Sequence, residues 1–139
     1  MMKKIKKYYH TKEGYNPFLI REGWQVAQLN YLPKHGFDDV DKVEVHKQTD
    51  EVFILMNGEA ILIEAEINTT SISFEFTKME KLVTYNIPSG TWHNIAMSKE
   101  ARVIIVENSN THLNDVGYIA LDNAQQQIIN SSIQAALNK

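Results

Sequence analysis

The chain has 139 residues and a formal net charge of −3, with 43% hydrophobic and 22% charged residues. These proportions are typical of one soluble globular domain and exclude a disordered chain. The sequence has no cysteine, which excludes disulfides, cysteine-bound zinc, iron–sulfur clusters and thiol nucleophiles. Any metal ion must therefore be held by histidine, aspartate or glutamate.

The charge pattern favours neither nucleic acid nor a membrane as a partner. The net acidity gives no whole-chain attraction for nucleic acid, and no apolar run approaches the ~18 residues of a membrane helix. The N-terminal lysines precede no apolar segment, so we interpret them as a solvated tail or an edge strand rather than part of a signal peptide. They are Lys3, Lys4, Lys6 and Lys7. We expect a cytoplasmic protein in which residues 1–139 form a single domain.

Short segments with strand character follow one another up to residue 107, separated by turn residues. The predicted strands are 18–21, 24–31, 43–46, 52–56, 60–67, 72–76, 81–87, 92–97 and 101–107. In the second strand, apolar Trp24 and Val26 share one face at period two. A spacing of about ten residues without intervening helical patterns is typical of an antiparallel barrel or sandwich.

Two turns are expected to close hairpins. The apolar run 52–56 predicts a strand covered on both faces, and its composition leaves open which face lines the interior. Asn57-Gly58 follows at once and favours a type I′ hairpin, because both residues tolerate a positive φ. A second hairpin is predicted at 68–70.

The end of the chain has helical spacing instead. Residues 123–137 contain neither glycine nor proline, and their apolar residues recur at intervals of three to five. These residues are Ala124, Ile128, Ile129, Ile133, Ala136 and Leu137. The pattern predicts an amphipathic helix over about 123–138 that is capped by Asp122 or Asn123. Its apolar stripe covers either the barrel or a second subunit, and we expect a homodimer.

Four polar side chains are placed where they can converge. Glu44 and His46 share a strand parity and therefore project from one face. Glu51 opens the next apolar strand, and a turn at 88–90 redirects the chain just before His93. If these strands are neighbours in a barrel, His46, Glu51 and His93 meet at one interior point.

The spacing of these residues resembles the two short motifs of the cupin family. The matching residues are His46, Glu51 and Gly58 of the first motif and Pro88, Gly90 and His93 of the second. The resemblance covers about residues 36–107. It implies an all-β fold, a cupin-like antiparallel β-barrel (a double-stranded β-helix or jelly roll) with a core of about 18–121, followed by the C-terminal α-helix.

Four positions depart from the family pattern. Glu44 stands at the leading histidine of the first motif, and Asp38 replaces its early glycine. Leu82 stands at the opening glycine of the second motif, and Met97 at its closing asparagine. The first departure changes the metal-ligand set that the family usually provides, which is three histidines and one glutamate.

Carried over position by position, the resemblance implies a metal site made of Glu44, His46, Glu51 and His93. Two carboxylates and two imidazoles suit Mn, Fe, Zn or Ni, and the two negative charges neutralise a divalent ion. Without a metal the carboxylates repel each other, so one is protonated or paired with a charged histidine. A barrel that has lost its metal is therefore the alternative.

The functional prediction follows from this set. We predict a small metal-binding cupin that takes a small organic ligand in the barrel, and the sequence leaves open whether it is an enzyme. The alternatives are a metal-free binding or sensing module and an assembly protein. His35 and His112 are interpreted as loop and turn residues, and Trp92 as a packing residue on the face opposite His93.

Overall fold

The computed structural model describes residues 2–139, which form ten β-strands and two α-helices. The strands are β1 Gly14–Arg21, β2 Trp24–Asn30, β3 Lys42–Val45, β4 Glu51–Asn57, β5 Ala60–Ile67, β6 Ile72–Lys78, β7 Thr84–Ile87, β8 Trp92–Met97, β9 Arg102–Glu107 and β10 Gly117–Ala120. The helices are α1 Thr111–Asn114 and α2 Asn123–Leu137, and Pro33–His35 form one turn of 3₁₀-helix. The all-β prediction with a C-terminal helix is confirmed. The four-residue strand β10 was not predicted.

The strands form two five-stranded antiparallel sheets with the orders β1-β2-β9-β4-β7 and β10-β3-β8-β5-β6. Inward side chains of both sheets meet in one apolar cluster. Its members include Leu29, Phe53, Leu55, Val103 and Ile105 from the first sheet and Leu62, Ile95 and Met97 from the second. This two-sheet packing is the predicted jelly roll, and the candidate site lies between the sheets.

The inward face of β2 is the opposite of the one that sequence periodicity suggested. Trp24 is 46% exposed, whereas Gln25 and Ala27 are fully buried and Leu29 is nearly so. The alternation was predicted correctly, but the buried face carries Gln25, Ala27 and Leu29 instead of Trp24 and Val26. The reason is that the buried Gln25 has polar partners inside the barrel, so a polar residue occupies an inward position.

The hairpin predicted at Asn57-Gly58 is wrong. Strand β4 pairs with β7 and β9, and β5 pairs with β6 and β8, so the chain crosses here from one sheet to the other. Of the two turn residues only Gly58 has a positive φ, of 75°, so the turn is not type I′. The second hairpin is confirmed, since β5 and β6 pair and the Asn68 N–H donates to the Ser71 carbonyl at 2.9 Å.

Strand β7 begins at Thr84, three residues later than predicted. The cause is Leu82, whose φ of 69° interrupts the extended backbone. Leu82 is also the residue that stands at the family's glycine position in the second motif. A bulky residue thus occupies a backbone conformation that glycine adopts at no steric cost.

Helix α2 has the bounds and the cap that the sequence predicts. The Asp122 side chain accepts from the Gln125 N–H, and the Gln125 side chain accepts from the Asp122 N–H, each at 2.8 Å. Ile129 and Ile133 are fully buried in a second apolar cluster, where the helix packs on β5 and β6. The apolar stripe therefore covers the outer side of the sheet that contains β5 and β6. The homodimer stays a prediction.

Within residues 2–139, none of the helices combines the length and apolar character needed to cross a bilayer.

Candidate metal centre

Strand β3 and the residue after it supply two of the four predicted ligands. Glu44 and His46 both line the cavity between the sheets, which confirms that they share a face. Glu44 lies opposite His93 across the β3–β8 pair. Antiparallel pairing therefore brings a carboxylate and an imidazole together from segments almost 50 residues apart.

Glu51 is the first residue of β4 and faces the same cavity. Its parity partners Phe53 and Leu55 are buried in the core, and Met56 on the other face is 51% exposed. The face of β4 that carries Glu51, Phe53 and Leu55 therefore lines the interior. The strand is covered less completely on its second face than the apolar run suggested.

The fourth predicted ligand, His93, lies on β8 directly after the turn at 88–90. The Gly90 N–H donates to the His46 carbonyl at 2.8 Å, so this turn is tied to the segment that carries His46. Trp92 packs against the apolar cluster under helix α2, on the face opposite His93, as predicted.

The structure brings all four side chains into one cluster. One donor atom from each of Glu44, His46, Glu51 and His93 lies within 4.8 Å of the others. The Oε1 atom of Glu51 is 2.9 Å from His46 Nε2 and 2.8 Å from His93 Nε2. The Oε1 atom of Glu44 is 3.9 Å and 3.8 Å from the same two nitrogens.

Both imidazoles are oriented through their other nitrogen. His46 Nδ1 is 2.5 Å from the Asp115 carbonyl oxygen, and His93 Nδ1 is 2.9 Å from the Thr91 carbonyl oxygen. A carbonyl only accepts, so each Nδ1 carries a proton and donates it. In the neutral imidazole this leaves the Nε2 lone pair free to face the cluster, the arrangement common for metal-binding histidines.

Asp115 also fixes the backbone next to His46. Its carboxylate accepts from the N–H groups of Lys47 and Gln48, each at 2.8 Å. One residue thus contacts the His46 ring through its carbonyl and the following turn through its side chain. These contacts hold His46 in position without a bound ligand.

Two buried atoms at the centre of the cluster lack hydrogen bonds. Glu51 Oε1 and His93 Nε2 are both inaccessible to solvent, and neither makes an aligned hydrogen bond within residues 2–139. Their 2.8 Å separation is short enough for a hydrogen bond, so the angles and not the distance are unfavourable. Buried polar atoms without partners are costly, and a cation bound between them would satisfy both.

The electrostatics of the metal-free cluster favour protons at the same place. Burial disfavours the charged form of His46, but the nearby Glu51 carboxylate outweighs it and raises the pKa of His46 to about 9. The same balance raises the pKa of His93. Burial alone would raise the pKa of Glu51, yet the two histidines hold it well below its usual range. The cluster therefore attracts positive charge.

The donor set and its spacing fit a divalent transition-metal ion. Two donors that are each about 2.1 Å from one ion are about 3.0 Å apart at a right angle and about 3.4 Å apart at a tetrahedral angle. The histidine–glutamate separations of 2.8 to 3.9 Å cover that range. Nitrogen and carboxylate donors suit Mn, Fe, Zn or Ni.

A second polar cluster in the same cavity was not predicted. Gln25 Nε2 donates to Glu107 Oε1 at 2.9 Å and lies 3.2 Å from His112 Nδ1, and the Tyr15 hydroxyl donates to the same carboxylate oxygen. Burial and the neighbouring Glu51 carboxylate raise the pKa of Glu107 to about 7. A signal was present in the sequence, because Val103, Ile105 and Glu107 alternate at period two on the inward face of β9.

The cavity has a volume of about 190 Å³. Its walls combine the metal-ligand cluster with the apolar side chains of Leu29, Phe53 and Ile105. His35 and His112 also line it, so both are cavity residues rather than plain loop or turn residues. The site is thus a small, mixed polar and apolar chamber that opens beside the four candidate ligands.

Comparison with known proteins supports the fold. No family model and no curated protein matches the sequence. A cupin-2 domain protein from Shewanella frigidimarina is similar in structure, with a TM-score of 0.50 and 20% identity over 72% of this chain and 84% of that one. Protein NMB1881 from Neisseria meningitidis gives a TM-score of 0.51 and 17% identity over 71% and 89%.

A third similar structure is a variant of Streptomyces PAC13 with uridine. Its TM-score is 0.56 at 11% identity, over 84% of this chain and 93% of that one. The chain therefore has the cupin fold. Identities of this size establish the fold and leave the reaction open.

Proposed function

We propose that the chain binds one divalent transition-metal ion through Glu44, His46, Glu51 and His93, and a small organic ligand beside it. The observation that carries the proposal is the buried Glu51 oxygen 2.8 and 2.9 Å from two imidazole nitrogens, without an aligned hydrogen bond in the described residues. With neutral imidazoles three lone-pair atoms meet here, and a bound cation removes their repulsion.

Each of the four residues has a distinct part in this proposal. His46 and His93 present Nε2 in fixed orientations, because backbone carbonyls hold their Nδ1 protons. Glu51 is buried and supplies a negative charge that the ion neutralises, while Glu44 is partly accessible from the cavity. A bound ion would supply Lewis acidity toward a carbonyl or carboxylate oxygen of the ligand.

An aromatic side chain packs against the cluster. The Phe53 ring meets the His93 ring edge-on, with centroids 6.2 Å apart, and both side chains are buried. Because Phe53 also lines the cavity, it gives a bound ligand an apolar surface next to the cluster. Electrostatic interactions at the cluster are strengthened by this low-dielectric surrounding.

Elemental analysis tests the metal proposal directly. The protein is stripped with a chelator, reconstituted separately with Mn, Fe, Zn and Ni, and freed of loose metal before measurement. We expect about one ion per chain for at least one metal, and a loss of more than about tenfold in metal affinity for His93→Gln. His112→Gln, a change in the same cavity outside the cluster, should keep its metal. Absence of metal from the wild-type protein after all four reconstitutions would overturn the proposal.

A metal-free binding module is the second candidate, favoured by one observation. The raised pKa values of His46 and His93 and the lowered pKa of Glu51 allow a proton-bridged ion pair to satisfy the cluster without a metal. In that case, ligand-induced shifts in melting temperature would persist in chelator. Shifts that vanish in chelator and return with metal would instead support the first proposal.

A further inference from the structure

Positive charge lines one wall of the cavity, next to the metal-ligand cluster. Lys34 and Lys42 both line the cavity, and neither has a carboxylate within 4.0 Å in residues 2–139. Surface lysines without partners are ordinary. Lys34 is exposed, whereas Lys42 is half-buried beside the candidate metal site, where its charge loses hydration.

Lys42 is directed into the cavity by the same parity that places the ligands. Lys42, Glu44 and His46 alternate along β3 and its end, so they form one row with a step of about 6.7 Å. The Lys42 ammonium lies 4.3 Å from the centre of the Tyr118 ring on β10. This cation–π contact holds the charge in place without neutralising it. The neighbouring Glu44 carboxylate instead approaches the two histidines.

His35 lies beside the two lysines at this wall. Its Nδ1 is 3.0 Å from the Ile95 carbonyl oxygen, which fixes the ring beside the cavity. Burial lowers the pKa of His35, and the charges of Lys34 and Lys42 lower it further despite that hydrogen bond. The ring therefore shares this wall of the cavity with the two ammonium groups.

The charges around the cavity leave an excess of positive charge when a divalent ion is bound. The carboxylates of Glu44 and Glu51 and the ammonium groups of Lys34 and Lys42 line it together, and Glu107, whose pKa is raised to about 7, adds one further carboxylate when ionised. Histidines that bind a metal through Nε2 are neutral. A ligand with a negative charge would offset this excess.

We propose that the cavity binds a small monocarboxylic acid whose carboxylate lies between Lys42 and the metal centre. This inference rests on the proposed metal site. The cavity volume of about 190 Å³ corresponds to roughly six water molecules, which is room for a small acid. The apolar wall of Leu29, Phe53 and Ile105 accepts the carbon part of the acid.

Calorimetric titration with lactate and with its neutral analogue lactamide tests the proposal. Both probes are added at fixed ionic strength to protein that elemental analysis shows to hold one Co²⁺ per chain. Lys42→Met keeps most of the side-chain stem and removes the charge. Lys99→Met, at an exposed turn outside the cavity, removes the same charge elsewhere and serves as the matched control.

We expect the wild-type protein to bind lactate at least tenfold more tightly than lactamide, because a charged acceptor strengthens the hydrogen bond to an ammonium group. Lys42→Met should weaken lactate binding about tenfold while holding its Co²⁺, and Lys99→Met should bind like the wild type. Equal affinities for the two probes, no lactate binding, or no effect of Lys42→Met with cobalt bound would each overturn the inference alone. If the wild-type protein holds none of Co, Mn, Fe, Zn and Ni, the proposed metal site is overturned, and this inference with it.

Discussion

The Oε1 atom of Glu51 lies 2.8 Å from the Nε2 atom of His93, and both atoms are buried without an aligned hydrogen bond in the described chain. With the Nδ1 proton of His93 committed to the Thr91 carbonyl, the neutral ring offers Glu51 only a lone pair. Two lone pairs at this distance repel unless a positive charge lies between them. If the proposed ion binds here, the metal-free and metal-bound proteins therefore differ in stability.

Removing the metal is expected to lower the melting temperature. Saturation at about 1,000 times the dissociation constant stabilises the folded state by about 4 kcal/mol, or on the order of 10 °C for a domain of this size. Thermal unfolding of chelated and reconstituted protein measures the difference. Glu51→Gln should abolish it, because the amide removes the central negative charge. A metal-induced shift of wild-type size in Glu51→Gln would contradict this assignment.

The metal-free protein is expected to lose stability as the pH rises from about 6.5 to about 9. The pKa of His46 is about 9 in the folded protein, compared with its ordinary value of 6.5. Protonation of His46 therefore stabilises the fold. That contribution is complete below pH 6.5 and is lost as the pH passes through the folded-state value. It amounts to at most about 3 kcal/mol.

Urea unfolding of chelated protein across this pH range measures the loss. His46→Gln should make the profile shallower above pH 6.5, since glutamine does not titrate there and only His93 still responds. The metal-bound protein should behave oppositely, because the ion competes with the proton for Nε2 and its apparent affinity rises with pH. A metal-free profile that is flat between pH 6.5 and 9 would rule out the ion pair.

The four candidate ligands were predictable because each lies at a position that local rules constrain. Glu44 and His46 are two residues apart on a strand, so parity alone puts them on one face. Glu51 and His93 follow turns and match the spacing of a known family. The identity of the candidate ligands was thus visible in short-range patterns that a single sequence displays.

The second polar cluster was missed because its members come from distant parts of the chain. Gln25 and Glu107 are 82 residues apart, and Tyr15 and Glu107 are 92 apart. Only the pairing of β2 with β9 brings Gln25 opposite Glu107. The choice of strand partners is set by the whole fold, so no local pattern reports it.

The same physical reason explains the error at Asn57-Gly58. The dipeptide favours a tight hairpin locally, but β4 finds its partners β7 and β9 in one sheet while β5 joins the other. Glycine is required here for a different reason. A Cβ at Gly58 would lie 2.6 Å from the Ala101 Cα, so the crossover passes directly against another backbone segment.

Leu82→Gly is expected to stabilise the protein. Leu82 has a φ of 69° and is 83% exposed, so its side chain adds strain and little packing. Glycine adopts this left-handed conformation without the strain that leucine has, so the substitution should raise the free energy of unfolding by roughly 1 kcal/mol. This corresponds to a melting temperature about 3 °C higher. Leu82→Ala is the control, because it removes the same exposed side chain but keeps a Cβ at the positive φ. Equal effects of the two substitutions would assign the gain to the lost apolar surface.

The docking of helix α2 provides a test of the fold that is independent of the metal. Ile133 is fully buried against the outer side of β5 and β6, whereas Ile128 on the same helix is 54% exposed. Ile133→Ala should therefore cost about 2–4 kcal/mol, and Ile128→Ala should stay within about 0.5 kcal/mol of the wild type. Urea unfolding measures both, and each variant should still bind metal, since the helix and the metal centre lie on opposite sides of the sheet.

Ile128→Ala also examines the predicted homodimer. If the exposed part of the helix is an interface between two copies, the substitution lowers the mass in solution from twice 16.0 kDa toward 16.0 kDa. Its cost in stability then depends on protein concentration, because dimer formation contributes to the folding equilibrium. A wild-type mass of twice the chain mass that Ile128→Ala leaves unchanged would place the interface away from this helix, and a wild-type monomer would contradict the homodimer itself.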